Sequence, residues 1–233
     1  MIKMDTEKVP LISVEKLQVE FEGHKVFSNL SFEIFAADFI CIVGPNGAGK
    51  STLIKTLLGQ IKPSKGEIIF TGLKQKFIGY MPQENKIDKN FPASVEEIVR
   101  SGTLNQIGFR PFYKKTEKDM AEKCMKQLGI LNLAKRHFAD LSGGQRQKVL
   151  LARGLAATRK MLILDEPSNN LDFKSKNDLY KKLIKLNEAG VAILMVTHDL
   201  DHKNLIGKKI LALNGEQYFF GDTESYVEKI HHV

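Results

Sequence analysis

No run of eighteen apolar residues occurs in this 233-residue chain, so no segment reads as a membrane-spanning helix. Cysteine is nearly missing. The two that occur, Cys41 and Cys124, stand far apart, outside any metal-ligand spacing, and give no disulfide framework. That scarcity fits a reducing, cytosolic compartment. The opening residues, Met1 to Pro10, are polar and carry both charge signs, unlike a secretory signal. Internal repeats and low-complexity linkers are absent as well. So are long blocks of like charge: the formal charge is +8, but the lysines fall in scattered pairs such as Lys114-Lys115, Lys181-Lys182 and Lys208-Lys209. A basic balance suits nucleic acid, an anionic surface or a polyphosphate ligand. Without a block, no specific nucleic acid is expected.

What is present is ordinary globular composition, 42% apolar and 27% charged, enough for one core or a core with a small subdomain. Leu11 to Glu22 and Leu30 to Ile34 alternate loosely, as antiparallel strands with one wet face do. Phe39 to Val43, Met161 to Leu164 and Ala192 to Val196 are continuous apolar runs, the pattern of parallel strands covered on both faces. Helical spacing begins at Lys50, with Leu53, Ile54, Leu57 and Leu58 on one side and Gly59 at its end. Thr116 is placed to cap a helix bearing Met120, Cys124 and Leu128, and a further helix runs from Gln145 to Leu155. Another helical segment ends near Gly190. From about Glu84 to Asp140 no strand pattern occurs. The alternation of strands and helices argues an α/β fold with a parallel sheet.

Gly44-Pro45-Asn46-Gly47-Ala48-Gly49-Lys50-Ser51 matches the phosphate-loop pattern, between a buried strand and a helix start. Glycines let backbone N–H groups converge, and a helix N-terminus adds partial positive charge. Lys50 is expected to reach β- and γ-phosphates and the Ser51 hydroxyl to ligate Mg²⁺. A phosphate loop alone is common to GTPases, kinases, helicases and transport ATPases. Leu162-Ile163-Leu164-Asp165-Glu166 adds a buried strand ending in two carboxylates at the crevice where α/β sheets bind ligands. Asp165 is placed to hold Mg²⁺ through water, and Glu166 to polarise an attacking water. Leu141-Ser142-Gly143-Gly144-Gln145 opens another helix with a second anion-binding start. One nucleotide needs only one cradle within a subunit, and a second makes sense if it serves the nucleotide of another subunit.

With these strings the chain resembles the ATP-binding cassette ATPases, from about Val14 to Tyr226. The resemblance implies a P-loop NTPase core over residues 1–83 and 141–233, with a parallel sheet, an N-terminal antiparallel β part and an inserted α-helical subdomain over about 84–140. It implies ATP and Mg²⁺ as ligands. Phe21 would stack on adenine, and Gly44 through Thr52 would surround the phosphates. Ser51, Gln83 and Asp165 would hold the metal. Glu166, His198, Gln83 and Lys50 would carry catalysis, with His198 contacting the γ-phosphate. Ser142, Gly143, Gly144 and Gln145 would close on the nucleotide of a second copy in a head-to-tail dimer, and Pro167 to Asp172 would cross that interface.

Two details narrow the resemblance to ATPase subunits of zinc and manganese importers, some of which serve iron. One is the short connection from Gly66–Phe70 to Phe77–Gln83. The other is the stretch from Asp88 through Pro92 to Gly102. That family works with a separate membrane permease and an extracytoplasmic metal-binding protein, which would put this chain in the cytoplasm, peripheral on the inner face of the membrane. His198, Asp199, Asp201 and His202, or His231-His232, are not expected to hold the transported metal. Ala37-Asp38 stands where the family has a glycine-acid turn, and little change is expected from it. Ser168-Asn169-Asn170-Leu171 is closer to the loop of soluble, translation-associated cassette proteins, which carry two cassettes where this chain holds one. Another importer or exporter, or a soluble cassette protein of translation or iron–sulfur assembly, is the alternative. The chain ends soon after Tyr226, and no large C-terminal regulatory domain is expected.

Overall fold

The computed structural model describes residues 9–83, 92–108, 110–169, 171–198 and 208–231. Strands β1 (Ile12–Phe21), β2 (His24–Ile34) and β4 (Lys65–Phe70) form an antiparallel sheet in the order β2-β1-β4. Along β1, Ile12, Val14, Leu17 and Val19 are buried, which is the one-sided burial expected of it. The second sheet joins β3 (Phe39–Val43), β5 (Gly79–Met81), β6 (Met161–Asp165), β7 (Ala192–Val196), β8 (Lys209–Asn214) and β9 (Gln217–Asp222). Its order is β5-β6-β7-β3-β8-β9, parallel throughout except at the β8–β9 hairpin.

Side chains alternate across this sheet and feed two separate cores. Ile40, Ile42, Ile163, Leu194 and Val196 pack on one face with the antiparallel sheet and helix α1 (Lys50–Leu57). Cys41, Val43, Leu162, Leu164, Ile193 and Met195 pack on the other. There they meet α2 (Val95–Ser101), α4 (Lys115–Leu128), α5 (Gly143–Ala157) and α6 (Phe173–Glu188). A short α3 (Leu104–Ile107) precedes α4, and α7 (Thr223–His231) follows β9. Five buried residues in each of β3, β6 and β7 explain why their sequences carry no polar alternation.

One local expectation changes. Helix α4 begins at Lys115, so Thr116 lies inside its first turn and does not cap it. Its start is set instead by the Glu117 carboxylate, which accepts from Lys114 N–H at 2.6 Å. The turn at Ala37-Asp38 holds Ala37 at φ 61°, a left-handed backbone that glycine adopts more easily. Both cysteines are buried and free; burial pushes the Cys41 thiol up to about 12 and Cys124 to about 11, which leaves both unreactive.

Candidate functional site

The carboxyl ends of β6, β7 and β3 lie side by side, because their parallel register sets Asp165 beside Val196 and Val196 beside Ile42. Two backbone bonds extend the alignment past the strands: Thr197 N–H donates to Ile42 O, and Glu166 N–H to Val196 O, each at 3.2 Å. Helix α1 leaves this edge toward one core while α6 leaves toward the other, which opens a crevice between them.

The loop from Gly44 to Ser51 fills that crevice. Gly44 has φ 145° and Gly49 φ 92°. A Cβ on Gly44 would lie 2.1 Å from the Leu213 carbonyl oxygen, and one on Gly49 would lie 2.7 Å from Val26 Cγ1. Both glycines are therefore demanded by the chain's own packing. Helix α1 starts on Gly49 with no side-chain cap, so its first N–H groups keep their anion-binding capacity. Lys50 is only 8% exposed, and its Nζ donates to the carbonyls of Gly44 (2.7 Å) and Pro45 (2.8 Å). Burial lowers its pKa below the ordinary lysine value, while Glu166 and Asp165 act in the opposite direction. Phe21, at the end of β1, is 49% exposed; the strand that follows its turn supplies the Val26 and Phe27 contacts against Gly49.

Glu166 is the meeting point of the other loops. Its Oε2 accepts from Gln83 Nε2 at 2.6 Å, and its Oε1 lies 3.0 Å from His198 Nε2. Asn169 Nδ2 also donates to Oε2. Glu166 sits at φ 52°, a left-handed backbone that costs a non-glycine residue roughly 1–2 kcal/mol. Strain of that kind is retained where surrounding bonds over-determine it. Asp165 is buried and takes a hydrogen bond from the Tyr80 side chain, whose hydroxyl is pushed up to about 12 by burial and by the Asp165 charge. The oxygens that Ser51, Gln83 and Asp165 can offer are hydroxyl, amide and carboxylate, a hard donor set that suits Mg²⁺. Gln83 gives its Nε2 to Glu166, so its amide oxygen is the atom left for a metal.

Ser142 to Gln145 opens α5, on the opposite core from α1. Ser142 caps it: its Oγ accepts from Gln145 N–H at 3.4 Å, and Gln145 Oε1 accepts from Ser142 N–H at 3.0 Å. A Cβ on Gly143 would meet nothing within 4 Å, and one on Gly144 would come no nearer than 3.2 Å, to Ser175 Oγ. Asp172 uses its carboxylate to cap α6, accepting from Ser175 N–H (2.9 Å) and Ser175 Oγ (2.8 Å). Those bonds hold it below the usual carboxylate range.

The structure thus gathers Lys50, Asp165, Glu166, Gln83 and His198 at one edge. It leaves Ser142 to Gln145 on a helix of the other layer, and Asp172 engaged as a cap. Asn170, Asp199, Asp201, His202, His232 and the segment 84–91 lie outside the described residues, as does the side chain of His231. Among the described residues no cluster of three or more histidine, cysteine, aspartate or glutamate side chains could hold a metal. Sequence reasoning missed two participants. Asn169 stands three residues after Glu166 across a proline, a turn spacing that could have revealed it. Tyr80 carried no signal, because its contact depends on the pairing of β5 with β6.

The family model described as ABC transporter matches residues 27–169. The chain is 35% identical over 218 residues to the manganese transport system ATP-binding protein MntB of Bacillus subtilis, covering 92% of this chain and 87% of that protein. It is 36% identical to the chelated iron transport system membrane protein YfeB of Yersinia pestis, over 87% of this chain and 73% of YfeB. The zinc uptake system ATP-binding protein ZurA of Listeria innocua is 31% identical, with 93% and 87% covered. A solved inward-facing metal-chelate type ABC transporter superposes with TM-score 0.82 at 32% identity, covering 93% of this chain and 85% of that one.

Proposed function

This chain belongs to the ABC transporter ATP-binding family, and from that premise we propose that it hydrolyses ATP to energise uptake of a divalent metal (manganese, zinc or iron) through a separate membrane permease. The observation that carries the reading is the convergence of Gln83 and His198 on Glu166, at the strand edge that also holds Lys50 and Asp165. Three relatives whose names state manganese, zinc and chelated iron transport support the cargo.

Phosphoryl transfer needs positioning and charge stabilisation more than covalent help. The N–H groups of Gly44 to Thr52 bind the phosphate oxygens, and the Lys50 ammonium leaves its loop carbonyls to pair with the β- and γ-phosphates. Phe21 offers an exposed ring face to adenine. Ser51, Gln83 and Asp165 would hold Mg²⁺, which when bound neutralises charge on the phosphate oxygens. Glu166 accepts a proton from the water that attacks the γ-phosphorus, and the bond to the bridging oxygen breaks to leave ADP. His198 steadies the carboxylate and reaches the γ-phosphate.

The second cradle completes the assembly. Ser142 to Gln145 and the phosphate loop belong to opposite layers of one chain, which favours a head-to-tail pair in which each nucleotide is closed by a second copy. The permease would place the pair on the cytoplasmic face of the membrane, and an extracytoplasmic binding protein would deliver the metal.

The test is uptake of Mn²⁺, Zn²⁺ and Fe²⁺ into vesicles bearing candidate permeases and this chain. ATP-dependent uptake of at least one metal is expected, and Glu166→Gln should abolish it. Uptake of none, with ATP hydrolysis intact, would overturn the metal cargo.

A further inference from the structure

We propose that Asn169 is a positioning residue for Glu166, selecting which carboxylate oxygen is presented to water; this rests on Glu166 acting as the base. Donors reach Glu166 from three separate loops. Gln83 arrives after β5 and donates to Oε2 at 2.6 Å, while His198 arrives after β7 and stands 3.0 Å from Oε1. Asn169 arrives along Glu166's own loop. The segment Glu166-Pro167-Ser168-Asn169 closes as a turn, with Asn169 N–H donating to the Glu166 carbonyl at 3.2 Å. Proline at the second position favours that turn. The turn folds the Asn169 amide back over the carboxylate, where Nδ2 donates to the same Oε2 that Gln83 occupies.

A carboxylate oxygen has about two lone-pair directions. Two amide donors fill those of Oε2, and the carboxylate cannot rotate without breaking both bonds. Oε1, touched only by His198 among these donors, then keeps a direction for the water proton. Without Asn169 each oxygen would carry one of these donors, Gln83 on Oε2 and His198 on Oε1, leaving the water free to approach either. The second amide removes that freedom, and it does so from an exposed loop residue that the core does not need.

The experiment compares steady-state ATP hydrolysis by the full chain, Asn169→Ala, Glu166→Gln and the double variant. Asn169→Ala should lower kcat about 10- to 100-fold, the scale of a mispositioned reacting group. Its KM for ATP should stay within about twofold, because the change is confined to the transition state. In the Glu166→Gln background, adding Asn169→Ala should lower the residual rate no further, since Asn169 acts through the carboxylate. Parental kcat in Asn169→Ala, with Glu166→Gln inactive, would overturn this inference and leave the base intact. An equal loss in both backgrounds would overturn it too, as would a loss matched by failure of ATP-driven pairing in the Glu166→Gln background. Hydrolysis by Glu166→Gln at the parental rate would instead overturn the base reading on which the inference rests.

Discussion

Helix α1 opens on Gly49, a left-handed glycine with no side chain to cap it, while α5 opens on Ser142, capped reciprocally with Gln145. Both starts are glycine-rich, yet the glycines answer to different demands. At the phosphate loop, a side chain on Gly44 or Gly49 would strike atoms of the same chain. At the second start, Gly143 faces open space. Among the described residues nothing occupies the space that a Gly143 side chain would enter, and in the proposed head-to-tail pair that open face is where the second nucleotide would approach. The first start is thus constrained by its own subunit and the second is satisfied by its own cap, the contrast on which the proposed pairing with a second copy rests.

Substitutions can break or sharpen that contrast. The largest effect is expected at Gly44→Ala, which should lose about 3 kcal/mol of stability in denaturant unfolding, because a Cβ 2.1 Å from the Leu213 carbonyl forces the backbone apart. Parental stability there would dissolve the distinction between the two loops. Gly143→Ala should behave in the reverse way. Its unfolding free energy should stay within about 0.5 kcal/mol of the parent, while ATP hydrolysis falls at least about tenfold through loss of contact with the phosphates. A fall in stability that accounted for the lost activity would show that Gly143 serves the fold after all. The smallest effect probes the same backbone rule away from both cradles. Ala37, at φ 61°, should gain about 1 kcal/mol when changed to glycine, measured as a raised unfolding midpoint.

Much of the fold was legible because the informative segments are periodic. Phe39–Val43 and Ala192–Val196 read as covered strands, and the loop of Gly44 to Ser51 follows one of them in the required context. The β8–β9 hairpin was not singled out, because Lys209–Asn214 is half-buried and reads weakly as either state. Helix α4 is legible in the sequence but its start is not, since a hydroxyl at Thr116 resembles a cap while the real closure is a carboxylate reaching back from Glu117. At the site, every residue named by a motif could be read in order along the chain. Its assembly could not. Gln83 and His198 reach Glu166 only because β5, β6 and β7 are neighbours in register, and Asn169 only because Glu166 adopts a left-handed turn. The strand pairings are three-dimensional facts that no local spacing encodes, whereas the Asn169 turn is marked by the proline spacing.

The proposed head-to-tail pair gives each chain half of each ATP site. Its most direct test is the mass of the Glu166→Gln chain in solution, measured by light scattering with and without Mg-ATP. A single chain is expected without nucleotide and a mass twice as large with it, reverting when Ser142 is changed to arginine. A Glu166→Gln chain that stays single while saturated with ATP would contradict it.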